Sequence, residues 1–276
     1  MFTLNCKGRL LVVDKPLVMG IINLTPDSFY SGSRFTGIDA VLEQAGKMLN
    51  DGATILDIGG QSTRPGSIRI SAEEELQRVI EPIAAIAQRF PESFISADTY
   101  YAIVAEKAVA AGASIINDIS AGSMDEKMIS TVSKLNVPYV LMHMQGNPAT
   151  MQQEPSYTDV VKDVLDFFSF KKSELIKAGI KDIIIDPGFG FGKTISHNFQ
   201  LLKNLGVFKM LDVPILAGLS RKSTVYKTLK IPVEESLNGT TSLNTIALMN
   251  GASILRVHDV KEAKQAISLF QEYKDA

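Results

Sequence analysis

Residues 53–67 read ATILDIGGQSTRPGS: an apolar run ends on the carboxylate of Asp57, and two glycines, two hydroxyls, an arginine and a proline follow at once. A short apolar run closed by turn residues reads as a buried strand. Working outward, the chain holds eight such runs, at residues 17–23, 54–59, 94–98, 114–119, 138–143, 182–186, 213–218 and 253–258. Most are apolar at consecutive positions rather than every second one, the pattern of strands covered on both faces. Longer amphipathic segments separate them. One is SAEEELQRVIEPIAAIAQRF from Ser71, where Ser71 and Glu74 have the spacing of a capping box. Alternating strands and helices predict a parallel sheet, and eight units fit a closed (β/α)8 TIM barrel better than an open doubly wound sheet. No linker or composition shift divides the chain, so residues 1–276 are expected to form a single domain, with a short N-terminal β-hairpin over 2–14.

Bulk properties narrow the function. Of the 276 residues 45% are apolar and 21% charged, ample for a core. The net charge of -2, with Lys and Arg spread along the chain, offers no basic stripe, so nucleic acid is not an expected partner. No apolar run approaches the roughly 20 residues of a membrane span, and residues 1–16 lack a signal-peptide core, so the expected location is cytoplasmic, with no membrane partner. A single cysteine, Cys6, excludes an internal disulfide and reads as a bystander in the hairpin.

In such barrels the reactive groups stand at the C-terminal strand ends and in the loops that follow. Those ends carry Asn23, Asp57, Asp98, Asn117 with Asp118, His143, Asp186, the run Ser220-Arg221-Lys222, and Arg256 with His258. Any one of them is as well explained by a strand end or a cap. Together they form one mouth, and the polar material after Asp57 becomes one of its walls. Asp98, Asn117, Asp186 and Lys222 suit a flat heterocycle rich in amide and amino groups, because a buried carboxylate left unpaired by the wrong ring discriminates strongly. Thr63, Arg64, Arg256 and His258 suit phosphate or pyrophosphate. The stretch DPGFGFGKT from Asp186 is neither a P-loop nor a dinucleotide fingerprint: Pro187 stands where the P-loop needs glycine, and Gly188, Gly190 and Gly192 are evenly spaced by two. Its glycines are expected to bend the loop sharply and expose Phe191 beside a ligand.

The ordered motifs MGIINLTPDSF (19–29), DIGGQSTRPGS (57–67), INDIS (116–120), LMHMQGNP (141–148), DPGFGFGK (186–193), LAGLSRKS (216–223) and RVHDV (256–260) closely resemble dihydropteroate synthase. The resemblance runs over nearly the whole chain. It implies a transferase of folate biosynthesis that joins 6-hydroxymethyl-7,8-dihydropterin diphosphate to 4-aminobenzoate, releases pyrophosphate and 7,8-dihydropteroate, and is a sulfonamide target. It implies that Asp186 accepts hydrogen bonds from the pterin 2-amino group and N3. Asn117 and Asp98 would lie on neighbouring ring nitrogens, Lys222 on the O4 and N5 side, and Ile119, Met142 and Phe191 along the ring. Gly218 and Val257 complete the implied substrate-binding set. Asn23 resembles the residue that helps hold Mg2+, while Arg256 and His258 resemble the diphosphate grip. Thr63, Arg64 and Pro65, with Phe191, resemble the aminobenzoate slot, with Ser223 and the helix start after Arg221 for its carboxylate. Arg64, Lys222, Arg256 and His258 are the implied catalytic residues, and a homodimer is implied.

Two positions depart from the family pattern. The first loop reads Tyr30-Ser31-Gly32-Ser33 in place of a frequent Ser-Asp-Gly-Gly, and Gln61 stands where many members carry glutamate. The residues leave two other readings open: a methyltetrahydrofolate methyltransferase on the same barrel, which gives no reason for the TPDSF and STRPG loops, and a non-catalytic pterin binder, against which every site position carries a competent side chain.

Overall fold

The computed structural model describes residues 1–24, 34–62, 67–148 and 150–276. Two short strands, β1 (Phe2–Cys6) and β2 (Arg9–Val13), pair antiparallel around Lys7 and Gly8, whose φ angles of 57° and 87° suit a two-residue hairpin turn. The barrel strands are β3 (Leu17–Asn23), β4 (Ile55–Gly59), β5 (Phe94–Asp98), β6 (Ile115–Asp118), β7 (Tyr139–Met142), β8 (Ile183–Asp186), β9 (Leu216–Ala217) and β10 (Ile254–Val257). The described helices are α1 (Arg34–Asn50), α2 (Ala72–Arg89), α3 (Ala102–Ala111), α4 (Met128–Leu135), α5 (Val160–Lys177), α6 (Ile195–Lys203), α7 (Ser223–Leu229), α8 (Leu237–Met249) and α9 (Val260–Asp275). All eight strands are parallel, in the order β8-β7-β6-β5-β4-β3-β10-β9. A parallel bridge between Ile185 and Ile215 joins the two ends, so the sheet closes as the expected (β/α)8 barrel.

The sequence-based strands agree with the observed ones to within a residue or two, with one exception. The run at 213–218 forms only the two residues of β9. Pro214 has no N–H to donate, so the first half of the run serves β8 only by accepting from Ile185 N at 3.0 Å. Ser71 caps α2 as expected, its hydroxyl accepting from Glu74 N at 3.2 Å, but the return half of the capping box is not made. The Glu74 carboxylate pairs with Arg78 one turn on instead.

Strand alternation sorts the interior into layers. Met19, Ile55, Ile115, Val140, Ile184, Leu216 and Ile254 point inward and form an apolar floor with Leu4, Cys6, Leu11 and Val13 of the hairpin. Their neighbours Leu56, Ile116, Leu141, Ile185, Ala217 and Leu255 point outward into the helix layer. Two residues beyond the floor the chain faces inward again: β4, β6, β8 and β10 there carry Asp57, Asn117, Asp186 and Arg256, β9 runs on to Gly218, and β3 and β7 keep the apolar Ile21 and Met142. The apolar floor therefore ends one layer below a polar one. Cys6 lies in that floor, away from the strand ends, where burial pushes its thiol up to about 12. Among the described residues no helix is long and apolar enough to cross a membrane.

Candidate active site

The polar layer is built around Arg256 on β10. Its Nε donates to Asp57 Oδ2 and its Nη2 to Asp98 Oδ2, each at 2.6 Å. Asn117 Nδ2 donates to the same Asp57 oxygen at 3.1 Å. Four strands thus converge on one cluster: β4, β5, β6 and β10. The two carboxylates hold the guanidinium firmly protonated. Burial pushes the Asp98 carboxyl up, and Arg256 pulls it back down. Asp57 is wholly buried and its Oδ1 has no hydrogen-bond partner among the described residues, so the cluster has an acceptor to spare.

On the β8 side Asp186 Oδ1 accepts from Gly188 N at 2.8 Å, and its Oδ2 faces Gly218, where an added Cβ would lie 3.8 Å away. Burial raises the Asp186 pKa, while Lys222, Arg256 and Lys193 hold it down. Lys222 Nζ donates to Phe189 O at 2.9 Å and stands 4.1 Å from the Phe191 ring centroid, a cation–π contact. Burial lowers its pKa to about 8 against the pull of Asp186. Arg221, with φ of 54°, turns the chain just before Lys222, and its guanidinium donates through Nε and Nη2 to the two carboxylate oxygens of Asp259. Phe191 is covered rather than exposed, at 8%. It packs with Tyr100, Ile119, Met142 and Met151 in an apolar cluster beside the polar layer, so the expected exposed ring is a wall under cover.

His258 follows β10. Ser220 Oγ accepts its backbone N–H at 3.2 Å and lies 3.0 Å from its Nδ1. In the tautomer with the Ser220 hydroxyl donating to Nδ1, the ring proton stands on Nε2. Burial first, then Arg256 and Arg221, lower the His258 pKa to about 4, so it is a neutral N–H donor at pH 7. His143 is also neutral, its pKa lowered to about 3 by burial and Lys193. It packs edge-on against Phe167 at 4.9 Å, consistent with a structural place.

Asn23 ends β3 beside Gly59, and Gly59 in turn pairs with Asp98, which puts the amide at the mouth. Among the described residues no cluster of three His, Cys, Asp or Glu could hold a metal ion. One neutral amide oxygen fits a magnesium ion whose other ligands are diphosphate oxygens and water. Ser223 is the first residue of α7, half-buried next to Lys222.

The structure brings together Asp98, Asn117, Asp186, Gly218, Lys222, Arg256 and His258, with Ile119, Met142 and Phe191 alongside. Thr63, Arg64 and Pro65, like Tyr30 to Ser33, lie outside the described residues. Val257 needs correcting: alternation sends its side chain into the helix layer, so only its backbone faces the mouth. Asp118 likewise faces outward, accepting from Ser120, Gly122 and Tyr139 to hold the turn after β6. Three residues make bonds that the sequence pattern does not signal. Asp57 is the partner of Arg256 as well as a strand end. Lys193, in a glycine run that matches no nucleotide loop, bonds to the ends of β7 and β8. Gln61 ties the stems of the second loop through its amide, donating to Ser62 O and Ile68 O and accepting from Ile70 N and Tyr100 OH.

The profile of the family described as pterin binding enzyme matches residues 19–258. The dihydropteroate synthase of Haemophilus influenzae is 44% identical over 275 residues, 99% of each chain. Among solved structures, the Yersinia pestis dihydropteroate synthase with a sulfonamide drug superposes with a TM-score of 0.94 at 42% identity, covering 100% of both chains. The Xanthomonas albilineans dihydropteroate synthase with 4-aminobenzoic acid superposes with a TM-score of 0.92 at 40% identity, covering 99% of this chain and 98% of that one. With the profile spanning most of the sequence and relatives matching along their whole length, the chain belongs to the pterin binding enzyme family and, within it, to the dihydropteroate synthases.

Proposed function

We propose that the chain joins 6-hydroxymethyl-7,8-dihydropterin diphosphate to 4-aminobenzoate, releasing pyrophosphate and 7,8-dihydropteroate. The observation that carries this reading is the single polar layer of Asp57, Asp98, Asn117, Asp186 and Arg256 above an apolar floor, with Lys222 and His258 at its rim. Asp186 accepts from the 2-amino group and N3 of the pterin through the oxygen turned toward Gly218. Asn117 and Asp98 read the neighbouring nitrogens, and Lys222 donates on the O4 and N5 side. Ile119, Met142 and Phe191 pack along the ring.

The bond from the pterin methylene to the diphosphate oxygen breaks, and the electron-rich dihydropterin delocalises the positive charge left behind. The neutral aniline nitrogen attacks that methylene, and the acidic ammonium so formed passes one proton to the released diphosphate or to water, so no strong base is required. His258 offers the leaving group the N–H of Nε2, and Arg256 offers the guanidinium edge not already bound to carboxylates. Asn23 would hold Mg2+, which supplies charge to stabilise the departing diphosphate. Thr63, Arg64, Pro65 and Ser223 are assigned to the aminobenzoate side. We infer that two copies of the chain pair, as in the family it belongs to.

Pyrophosphate release with both substrates and magnesium tests the reading. Release that needs 4-aminobenzoate and matches the dihydropteroate formed is expected. No release, or methyl transfer without diphosphate chemistry, overturns it.

A further inference from the structure

The run Gly188–Gly192 after β8 has all five of its carbonyls held by side chains outside the run, two of them by the adjacent Lys193. Gly188 O and Phe191 O each accept from Lys193 Nζ at 3.0 Å, and Phe189 O accepts from Lys222. Gly190 O accepts from Gln152, and Gly192 O from the Tyr157 hydroxyl at 2.7 Å. Lys193 also reaches the end of β7, lying 2.9 Å from His143 Nδ1 and 3.2 Å from His143 O. One ammonium with three N–H groups therefore faces four acceptors, three of them backbone carbonyls on two loops. It is 2% exposed, and none of the ion pairs among the described residues includes it.

Burying a lysine without a carboxylate partner costs free energy, so its bonds must secure something. What they secure is visible in the contacts. Gly188 presses so closely on the end of β7 that a Cβ there would lie 2.0 Å from His143 O, and the Lys193 ammonium spans that same contact. Downstream stand the three features assigned to the pterin: Asp186, whose Oδ1 accepts from Gly188 N; the Phe191 ring; and Lys222, anchored on Phe189 O.

We propose that Lys193 is a positioning residue for pterin recognition: its ammonium locks the ends of β7 and β8 into one unit, which holds Phe191 and Lys222 in place beside Asp186. The inference rests on the reaction proposed above. The charged and titratable groups around it are His143 from β7, Asp186 from β8, His197 of α6 and Lys222 after β9, with Arg256 of β10 also acting on Asp186. Burial lowers the Lys193 pKa to about 7 against the pull of Asp186, so below that pH its charge has a second effect, lending positive potential that favours ionised Asp186.

The test uses Lys193→Met in the full chain, with Lys193→Gln as a milder variant should the first fail to fold. KM for the pterin diphosphate is expected to rise about tenfold, more than kcat falls, the scale of one lost charged hydrogen bond. The acid limb of pterin binding should move to higher pH, because Asp186 loses a positive neighbour. The effect should be less than multiplicative with Phe191→Ala, since both act on the same wall. A folded variant with unchanged pterin KM and an unmoved acid limb, or full multiplicativity with Phe191→Ala, overturns the proposal. Wild-type protein assayed alongside separates the two failures: an inactive wild type sinks the reaction and this inference with it, whereas an active wild type beside an unaffected variant sinks the inference alone.

Discussion

Lys222 is the residue whose charge the pterin side depends on most directly, and burial has brought its pKa down to about 8. A lysine shifted this way is charged below that value and neutral above it. Pterin diphosphate binding should therefore weaken as pH rises through about 8. Lys222→Arg keeps its charge and should push that limb out of the accessible range; calorimetric titration across pH checks it, and a limb that stays put belongs to another group. Arg256 makes a different demand. Replacing it by methionine leaves Asp57 and Asp98 buried without their cation, a loss of about 3 kcal/mol or more. Because Asp98 can take up a proton, urea denaturation should show the loss larger at pH 8 than at pH 5. Asp98, Asn117 and Asp186 were legible in the sequence, since each closes an apolar run. The bond from Arg256 to Asp57 was not. The two are 199 positions apart, and only the pairing of β4 and β10 to either side of β3 brings them to the same cluster.

At the scale of the element, strands and helices were legible because burial on both faces leaves unbroken apolar runs, and only the proline in the run before β9 shortened an expected strand. Loops were less legible, because their bonds depend on partners far away in sequence. The stems of the loop after β4 show this. Gln61 uses both amide protons and accepts twice, a set of bonds at 3.0 to 3.1 Å that a glutamate could make only in part. Nearby, Ser67 Oγ donates to Ser62 O at 2.6 Å, and Arg69 lies against Tyr100 and Tyr101. Gln61→Leu has nearly the right volume but strands two carbonyls, one backbone N–H and a tyrosine hydroxyl. It should cost about 2 kcal/mol of stability, read from the urea midpoint at constant slope. A change below about 0.5 kcal/mol would mean that these bonds are replaced by water at no loss.

Across the whole molecule the two ends of the barrel have separate duties. The hairpin closes the end opposite the mouth, its residues Leu4, Cys6, Leu11 and Val13 packed on the inward side chains of seven barrel strands. Further ties lie outside that apolar contact: Lys7 Nζ donates to Val109 O at 2.7 Å, and Arg9 bonds the backbone of residues 91–93 while its guanidinium lies 4.3 Å from the Phe94 ring. Between this floor and the polar layer β4, β6, β8 and β10 each change side-chain class once, so stability is concentrated below and recognition above. Leu11→Ala should therefore lower the unfolding free energy by about 2 to 5 kcal/mol, as for other large-to-small changes in a packed core. Activity per folded molecule should stay the same, because the hairpin packs on the floor and none of the described site residues belongs to that cluster. Denaturant unfolding together with KM and kcat normalised to the folded fraction measures both. A folded Leu11→Ala protein with raised KM for either substrate would show that the floor, and not only the strand ends, sets the geometry of the mouth.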